Sequence, residues 1–397
     1  MGVHEGLNSG DIADLPSRGD RIGVTRLALT EFRNYRAARV DLAAGPVVLT
    51  GPNGAGKTNF LEAVSILSPG RGLRNARLGD LDRRRDDEEP NATGWAVAAT
   101  IETARGAIRV GTGRDPAGSE RRVVRIDGEL ARSQAALGEL VGITWLTPQM
   151  DRLFIEGPSA RRRFLDRLVL GLDPGHAGRV AAYEHAMRER SRLLRDGPAD
   201  PTWLDAIEET MAAQGVAVAA ARCDAVERLD DACAAANGPF PSARLSLAGT
   251  VETWLDELPA LAAEERFKTA LREARAADAL SGGAAVGPHR SDLAVTHADK
   301  NIPAEGLSTG EQKALLISIV LAHAQLQRHT RGESPLLLLD EVAAHLDAAR
   351  RDALFEILLG LEGQVWLTGT DAALFAPLRT TARFLSVSDG ALSETTF

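Results

Sequence analysis

The chain has 397 residues, of which 44% are hydrophobic and 25% charged, and a formal net charge of −9. This composition is typical of a soluble protein of two or three domains, and no apolar run reaches the roughly 18 residues that span a bilayer. The net negative charge argues against a uniformly basic protein that coats nucleic acid. The two cysteines are too few for a disulfide scaffold or a four-cysteine metal site. We therefore expect a cytoplasmic protein with no membrane segment.

The first 21 residues are polar and show no hydrophobic periodicity. They lack the apolar stretch of a secretory signal, and we interpret residues 1–21 as a disordered extension or a misassigned start. Residues 24–40 then predict two strands joined by a turn, and residues 46–50 (PVVLT) predict a buried parallel strand. A glycine-rich loop follows, and residues 57–67 place their apolar side chains on one helical face. The order is strand, loop, helix.

The middle of the chain changes character twice. Residues 71–89 are charged and predict a surface loop, whereas the alternating pattern of residues 93–127 predicts a twisted antiparallel sheet. From about 166 to 280 the sequence is rich in Ala, Leu, Arg and Glu and predicts a bundle of helices. Strands return from residue 286 onward. We therefore predict an α/β head built from residues 22–165 and 286–397, with a helical arm, residues 166–285, inserted between them.

The glycine-rich loop matches the phosphate-binding pattern G-x-x-x-x-G-K-[ST]. Its residues are Gly51, Pro52, Asn53, Gly54, Ala55, Gly56, Lys57 and Thr58, followed by Asn59. Glycines let backbone N–H groups surround a β-phosphate, and the helix that follows adds its positive end. Lys57 is expected to reach the β- and γ-phosphates, and the Thr58 hydroxyl to bind Mg²⁺. The alternative, a plain glycine-rich turn, leaves the strand–loop–helix context unexplained.

A second motif supplies the carboxylates that a phosphate-binding loop needs. In residues 336–341 (LLLLDE), a buried strand delivers Asp340 at its carboxyl end, where open α/β sheets bind ligands. Asp340 is expected to hold Mg²⁺ through water, and Glu341 to accept a proton from the attacking water. Apolar strands ending in acids are common, so this interpretation depends on the phosphate-binding loop. Together the two motifs predict ATP and Mg²⁺ as the bound groups.

A third motif, residues 307–313 (LSTGEQK), opens an apolar helix. Ser308 and Glu311 fit a capping box, so a well-capped helix start is the structural alternative, although it leaves Gly310 unexplained. A helix start that bears Ser308 and Gly310 also suits a second anion site for a γ-phosphate. About 28 residues separate Ser308 from the strand that ends at Asp340.

These motifs, with the D-loop-like residues 344–347 (AHLD), resemble ABC ATPases of the SMC/Rad50 branch. In that branch the segment equivalent to residues 307–313, called the signature, closes on the phosphate-binding loop (P-loop) of the other subunit. The resemblance therefore implies an ATP-dependent head-to-head homodimer. SMC and Rad50 proteins fill the interval between the P-loop and the signature with long coiled coils. Here the interval is about 250 residues and no heptad pattern persists in it, which predicts an ABC-type P-loop head without a long coiled coil.

The compact form of this architecture resembles the RecF family of bacterial recombination mediators and replication-repair ATPases. The likeness rests on residues 29–35 (LTEFRNY), 56–63 (GKTNFLEA), 157–166 (GPSARRRFLD) and 287–292 (GPHRSD). It implies a nucleoid-associated protein that binds duplex DNA near single-strand gaps and supports RecA loading, with RecR and RecO as partners.

Four further residues are candidates for the nucleotide site. Thr370 stands where many ABC proteins place a switch histidine, and because a hydroxyl cannot carry positive charge we expect slow hydrolysis. Gln149, in residues 147–151 (TPQMD), is a candidate Q-loop residue. His289 and Arg290 could either cap a turn or support the nucleotide site.

Arginine clusters are the candidate DNA contacts. Residues 161–195 hold nine arginines against four acids, and residues 71–85 hold a second cluster. Either could bind DNA phosphates without reading bases, although solvated helix faces and internal Arg–Asp networks are the alternative. Two other function classes remain open. A transporter subunit is disfavoured by the long interval before the signature, and an attached nuclease would need a further acidic metal cluster.

Overall fold

The computed structural model describes residues 22–83, 94–115, 121–197, 200–236 and 238–395, so the predicted extension 1–21 lies outside the described residues. The strands are, in chain order, β1 (Gly23–Phe32), β2 (Tyr35–Asp41), β3 (Val47–Thr50), β4 (Ala96–Thr103), β5 (Gly106–Arg114), β6 (Arg122–Ile126), β7 (Glu129–Leu130), β8 (Ile143–Leu146), β9 (Ala243–Ala248), β10 (Asp292–His297), β11 (Ile302–Pro303), β12 (Leu336–Leu339), β13 (Val365–Gly369), β14 (Arg383–Ser388) and β15 (Ala391–Glu394). The α-helices are α1 (Lys57–Ser65), α2 (Pro158–Leu172), α3 (His176–Arg195), α4 (Pro201–Ala235), α5 (Thr250–Glu257), α6 (Ala260–Ser281), α7 (Thr309–Arg331) and α8 (Ala348–Gly360).

The first sheet is antiparallel and has the order β2-β1-β4-β5-β6-β7. It contains the strand–turn–strand predicted for residues 24–40 and the antiparallel strands predicted within residues 93–127. Side chains alternate along β1, where Leu27 and Leu29 are buried and Ala28 between them is half-buried. This sheet therefore covers one side of the head's core with one of its faces.

The second sheet has the order β15-β14-β3-β13-β12-β8, and all its strands except β15 are parallel. In its register, Leu339 lies opposite both Leu146 and Leu367, and Thr50 lies opposite Gly369. The carboxyl ends of β3, β8, β12 and β13 therefore meet at one edge. Because β3 comes from the first part of the chain and lies between β13 and β14, this sheet is built from both chain ends.

Strand β12 is buried on both faces, as four consecutive leucines require. Leu337 and Leu339 belong to a core that also contains side chains of α7, whereas Leu336 and Leu338 belong to a core that contains side chains of α1. Full burial of each such side chain is worth about 1.5–3 kcal/mol. The two cores together fix the strand that delivers Asp340.

The inserted helices have a core of their own, to which Tyr183, Met211, Trp254 and Phe267 contribute. The structure differs from the predicted arm, residues 166–285, at two places. The predicted limit at residue 166 falls inside α2, because Phe164, Leu165 and Leu168 are buried in the same core as α7 and β12. In addition, β9 pairs with β10 along its whole length, so a small sheet joins the inserted segment to the rest of the chain.

Within the described ranges, every helix is too short or too polar to cross a membrane. The 35-residue helix α4 packs against α3, α6 and α7 rather than extending into solvent. Long helices therefore serve here to build a bundle.

Candidate functional site

Two glycines of the loop between β3 and α1 hold conformations that other residues rarely adopt. Gly51 has φ +149°, and a Cβ there would lie 2.2 Å from the Val387 carbonyl oxygen. Gly56 has φ +116°, and a Cβ there would lie 2.4 Å from Asn34 Nδ2. The loop thus packs closely against the Val387 backbone and the Asn34 side chain in a way that only glycine permits, and it leads directly into the N-terminus of α1.

The turn between β1 and β2 holds this loop through its carbonyl groups. Asn34 Nδ2 donates to the Ala55 carbonyl at 3.1 Å, and the Tyr35 hydroxyl donates to the Gly56 carbonyl at 3.0 Å. Asn59, on the first turn of α1, donates to Asn34 Oδ1 at 2.7 Å. Asn34 and Tyr35 are thus supporting residues that the motif alone did not single out, although they lie in the family-like stretch 29–35.

Lys57 and Thr58 occupy the first turn of α1. Lys57 is buried, and its Nζ donates to the carbonyl oxygens of Gly51 and Pro52 at 2.8 and 2.9 Å. These bonds keep the ammonium group over the loop, where it would meet phosphate oxygens. Pro52, Asn53 and Gly54 are exposed at the outer bend of the loop.

The structure brings Thr58 and Asp340 together from positions 282 residues apart. Thr58 Oγ1 lies 3.1 Å from Asp340 Oδ1 and 3.0 Å from Oδ2. The hydroxyl and the carboxylate therefore lie side by side, as the prediction of Thr58 as a direct Mg²⁺ ligand and Asp340 as a ligand through water requires.

Glu341 has an unusual backbone, with φ +53°. Left-handed conformations of residues other than glycine are strained and persist where neighbouring groups hold them. Here the Glu341 N–H donates to Thr368 Oγ1 at 2.9 Å, and the same hydroxyl donates to Asp340 Oδ1 at 2.7 Å. Thr368 is thus a site residue that sequence reasoning missed. The available signal was a polar residue within an otherwise apolar, buried strand.

Thr370 and Gln149 lie near this edge but are exposed. Thr370 directly follows β13, two residues beyond Thr368. Gln149 lies on the turn Pro148–Arg152, which follows β8, and the Asp340 N–H donates to the Leu146 carbonyl at 2.9 Å. Both candidates therefore follow strands of this sheet edge, and neither side chain hydrogen-bonds Asp340.

The signature segment begins α7 as a complete capping box. Ser308 Oγ accepts from the Glu311 N–H, and Glu311 Oε2 accepts from the Ser308 N–H at 3.0 Å. Hydrogen bonds from Lys300 and Ser308 lower the pKa of Glu311 to about 2. Ser308 and Gly310 are nevertheless exposed, and a Cβ on Gly310 would meet nothing within 4 Å among the described residues. The capping role is confirmed, and this helix start stays open to a second molecule.

Comparison with known proteins assigns the chain to a family. Residues 23–391 match the family described as the RecF/RecN/SMC N-terminal domain. "DNA replication and repair protein RecF" of Mesorhizobium japonicum is 51% identical over 381 residues, covering 94% of this chain and 98% of the relative. The same protein of Agrobacterium fabrum is 49% identical, covering 94% and 99%. The chain belongs to the RecF family.

Solved structures agree on the fold. The recombination mediator RecF-ATPrS of the RecFOR pathway has a TM-score of 0.81 at 22% identity, covering 95% of this chain and 99% of that one. An Smc head bound to the C-terminal winged-helix domain of ScpA has a TM-score of 0.51 at 18% identity, covering 94% and 97%. The predicted ABC-type head of the RecF and SMC kind is thus confirmed.

Two of the RecF-like stretches contact each other outside the nucleotide site. Arg161 on α2 forms a double hydrogen bond with Asp292 at 2.7 and 2.8 Å, and Arg162 donates to the Ser291 carbonyl at 2.8 Å. His289 bonds the Tyr183 hydroxyl at 2.7 Å and the Ala284 carbonyl at 2.9 Å. These contacts indicate a structural role for residues 287–292, because they join the inserted helices to α2.

Proposed function

We propose that this chain is an ATP-dependent, DNA-binding dimerisation switch that acts in recombinational repair and replication-gap repair. The observation that carries the proposal is the pairing of an assembled Thr58–Asp340 site with an exposed signature helix start. The residues proposed to bind Mg²⁺ lie together within one subunit, whereas the helix start proposed to contact the γ-phosphate is exposed at the surface, where a second subunit can reach it. The curated relatives, named as DNA replication and repair proteins, support the biological role.

In the proposed reaction, each residue has a defined task. The loop from Gly51 to Gly56 and Lys57 bind the β- and γ-phosphates, and Thr58 and Asp340 hold Mg²⁺, which neutralises phosphate charge when bound. The Glu341 carboxylate accepts the proton of the attacking water. Thr370 supplies a hydroxyl rather than a cation near the γ-phosphate, so hydrolysis is slow. DNA binding stimulates this hydrolysis. Gln149, on the turn Pro148–Arg152, senses whether a γ-phosphate is bound.

The switch follows from binding across the subunit boundary. Ser308 and Gly310 of one subunit contact the γ-phosphate held by the partner's loop, so ATP has a higher affinity for the closed dimer than for separate monomers. That difference in affinity is the energy available for closure. Hydrolysis removes the shared γ-phosphate and opens the dimer. Closing on duplex DNA near a single-strand gap then couples nucleotide state to DNA binding.

RecR and RecO are the proposed protein partners, and support of RecA loading is the proposed outcome. We also place the protein in the cytoplasm, associated with the nucleoid. The solved relatives described as RecF-ATPrS and RecF-ATP support the nucleotide assignment. The arginine-rich segments support contacts with phosphates rather than with bases.

The deciding experiment measures dimer mass by light scattering with and without ATP, Mg²⁺ and gapped duplex DNA. We expect a monomer without nucleotide, a dimer with ATP, and DNA binding only by the dimer. Lys57→Ala serves as the control, because it removes the phosphate contact and must abolish both responses. A protein that stays monomeric with ATP, or that binds DNA equally as a monomer, would overturn the proposal.

A further inference from the structure

Among the described residues, seven arginines of the two arginine-rich segments are already paired within the chain. Their partners are carboxylates: Arg74 with Glu62, Arg83 with Glu31, Arg161 with Asp292, Arg179 with Asp173, Arg188 with Glu184, Arg190 with Glu208 and Asp278, and Arg192 with Glu189. Because their charge is already partly compensated, an external anion gains less from these side chains than from an unpaired arginine. The arginines without a carboxylate partner are therefore the candidate contacts for an external anion.

Three of the remaining arginines, Arg71, Arg163 and Arg167, line one cleft of about 970 Å³, together with Arg152 from outside the two segments. Its walls are the loop after α1, the turn Pro148–Arg152, and helices α2 and α3. Arg71, Arg152 and Arg163 line it and are exposed. None of these three forms an ion pair with a carboxylate among the residues that the structure describes. Three carboxylates also line the cleft: Asp166 pairs with Arg222, Glu184 pairs with Arg188, and Glu156 has no ion pair among the described residues. Because five arginines face these three acids, we call this space the basic cleft.

Arg167 lies deeper in the basic cleft. Its guanidinium carbon is 4.3 Å from the centre of the Trp145 ring, and Nη2 donates to Met150 Sδ at 3.7 Å. Its Nε is buried and has no hydrogen-bond partner within the described ranges. Burial without a neighbouring carboxylate lowers the pKa of Arg167 to about 9. An anion at the Nη groups of Arg167 would supply the charge-assisted hydrogen bonds that no carboxylate among the described residues supplies.

The floor of the basic cleft is apolar. Leu153 and Phe164 are buried beneath it, and Leu170 and Val180 are half-buried along its sides. A ligand that fits must therefore combine negative groups with apolar ones. The volume is at the upper end of the range of about 300–1,000 Å³ for ligand pockets, which suits a few residues of peptide rather than a duplex.

Single-stranded nucleic acid fits this lining less well. Binding of single strands relies on aromatic faces on which bases stack. Here Arg167 lies over the rings of both Trp145 and Phe164, at 4.3 and 5.5 Å from their centres. Carboxylates, by contrast, match the arginine side chains at the rim, and aliphatic groups match the floor.

We propose that the basic cleft binds a short acidic segment of a partner protein, in which carboxylates alternate with apolar side chains. The carboxylates pair with Arg71, Arg152 and Arg163, and one reaches Arg167. The apolar side chains cover Leu153 and Phe164. The basic cleft lies apart from Ser308, but it shares the turn Pro148–Arg152 with the candidate nucleotide contact Gln149, so peptide affinity is measured without nucleotide.

The test begins with selection of a display library of random short peptides on the full chain without nucleotide. We expect the enriched sequences to combine Asp or Glu with Leu, Ile or Phe. The most enriched peptide is then synthesised with a fluorophore, and its affinity is measured by anisotropy. Arg163→Glu should weaken binding about tenfold or more, because a bound carboxylate would meet a negative charge.

Arg77→Glu is the matched control, since Arg77 is also exposed but lies outside the basic cleft. It changes net charge equally and should leave the affinity within about twofold. Arg152→Glu repeats the test on another wall, and thermal unfolding of each variant verifies the fold. ATP-induced dimer mass should be unchanged in Arg163→Glu, so failure of the dimerisation switch would be recognised separately.

Three outcomes would overturn the proposal. The enriched pool could lack acidic residues, or its best peptide could bind wild type and Arg163→Glu equally. A single-stranded oligonucleotide could also displace the peptide and itself depend on Arg163, which would identify a nucleic acid as the occupant.

Discussion

The Thr368 hydroxyl donates a hydrogen bond to Asp340 Oδ1 over 2.7 Å and accepts one from the Glu341 N–H over 2.9 Å. Both residues are buried: Thr368 lies on β13, and Asp340 directly follows the neighbouring parallel strand β12. A single hydroxyl therefore orients the candidate Mg²⁺ carboxylate and holds the left-handed backbone of the candidate base.

Thr368→Val should slow hydrolysis far more than it weakens ATP binding, because Thr58 still donates to Asp340. The substitution keeps the β-branched shape but leaves the Glu341 N–H without its acceptor, so the base loses its position. A misplacement of about 1 Å can cost on the order of 100-fold in rate. Single-turnover hydrolysis and equilibrium ATP binding measure the two effects separately. Thr368→Ser should recover most of the rate, and equal losses of binding and hydrolysis in Thr368→Val would argue for a purely structural role.

Glu341→Gln should accumulate an ATP-bound dimer. The amide cannot accept a proton, and loss of a general base typically costs about 10²–10⁴ in rate. The backbone bond to Thr368 remains, so the local conformation should be preserved. Dimer lifetime after ATP is chased is the measurement. If this variant failed to dimerise, Glu341 would be needed for closure itself.

Ser308→Arg should block dimerisation without affecting ATP binding by the monomer. Ser308→Ala is the matched control, because both variants lose the capping box, at a cost of about 1 kcal/mol, and only arginine adds bulk at the exposed helix start. We expect similar melting temperatures, a weakened dimer with alanine, and no dimer with arginine. Weaker ATP binding by the Ser308→Arg monomer than by the Ser308→Ala monomer would place Ser308 in its own subunit's site.

Stability should fall as the pH drops below neutrality, partly because of His323. This residue is fully buried on α7, where Nε2 donates to the Leu168 carbonyl at 2.8 Å, and burial lowers its pKa to about 4. The unfolded chain has a histidine pKa near 6.5, so below that value the unfolded state binds the extra proton. The resulting loss is up to about 1.4 kcal/mol per pH unit between pH 6.5 and about 4.

Urea unfolding of wild type and His323→Gln across this pH window isolates that contribution. The amide keeps a donor for the Leu168 carbonyl but does not titrate. The variant should therefore show a shallower dependence of the free energy of unfolding on pH. Identical slopes would mean that His323 is not the titrating group.

The inserted helices show how tertiary contacts move a boundary. The composition of residues 166–285 correctly predicted helices, but α2 begins at Pro158 and buries its apolar face with the head. A helical pattern indicates that one face is buried but does not say which neighbour covers it. Strand β9 likewise depends on pairing with β10, some 50 residues later in the chain.

The phosphate-binding loop, the LLLLDE strand and the capped start of α7 could be predicted from the sequence because each is a short continuous segment whose residue types perform a local task. The sequence alone also indicated the family, since the order of these segments is preserved along the chain. Only the tertiary structure decided that Thr368 supports Asp340 and Glu341, because that contact depends on the register of two strands. The same holds for the arginines: whether each faces an internal carboxylate or an open cleft is set by which distant elements pack beside it, and no local pattern encodes that.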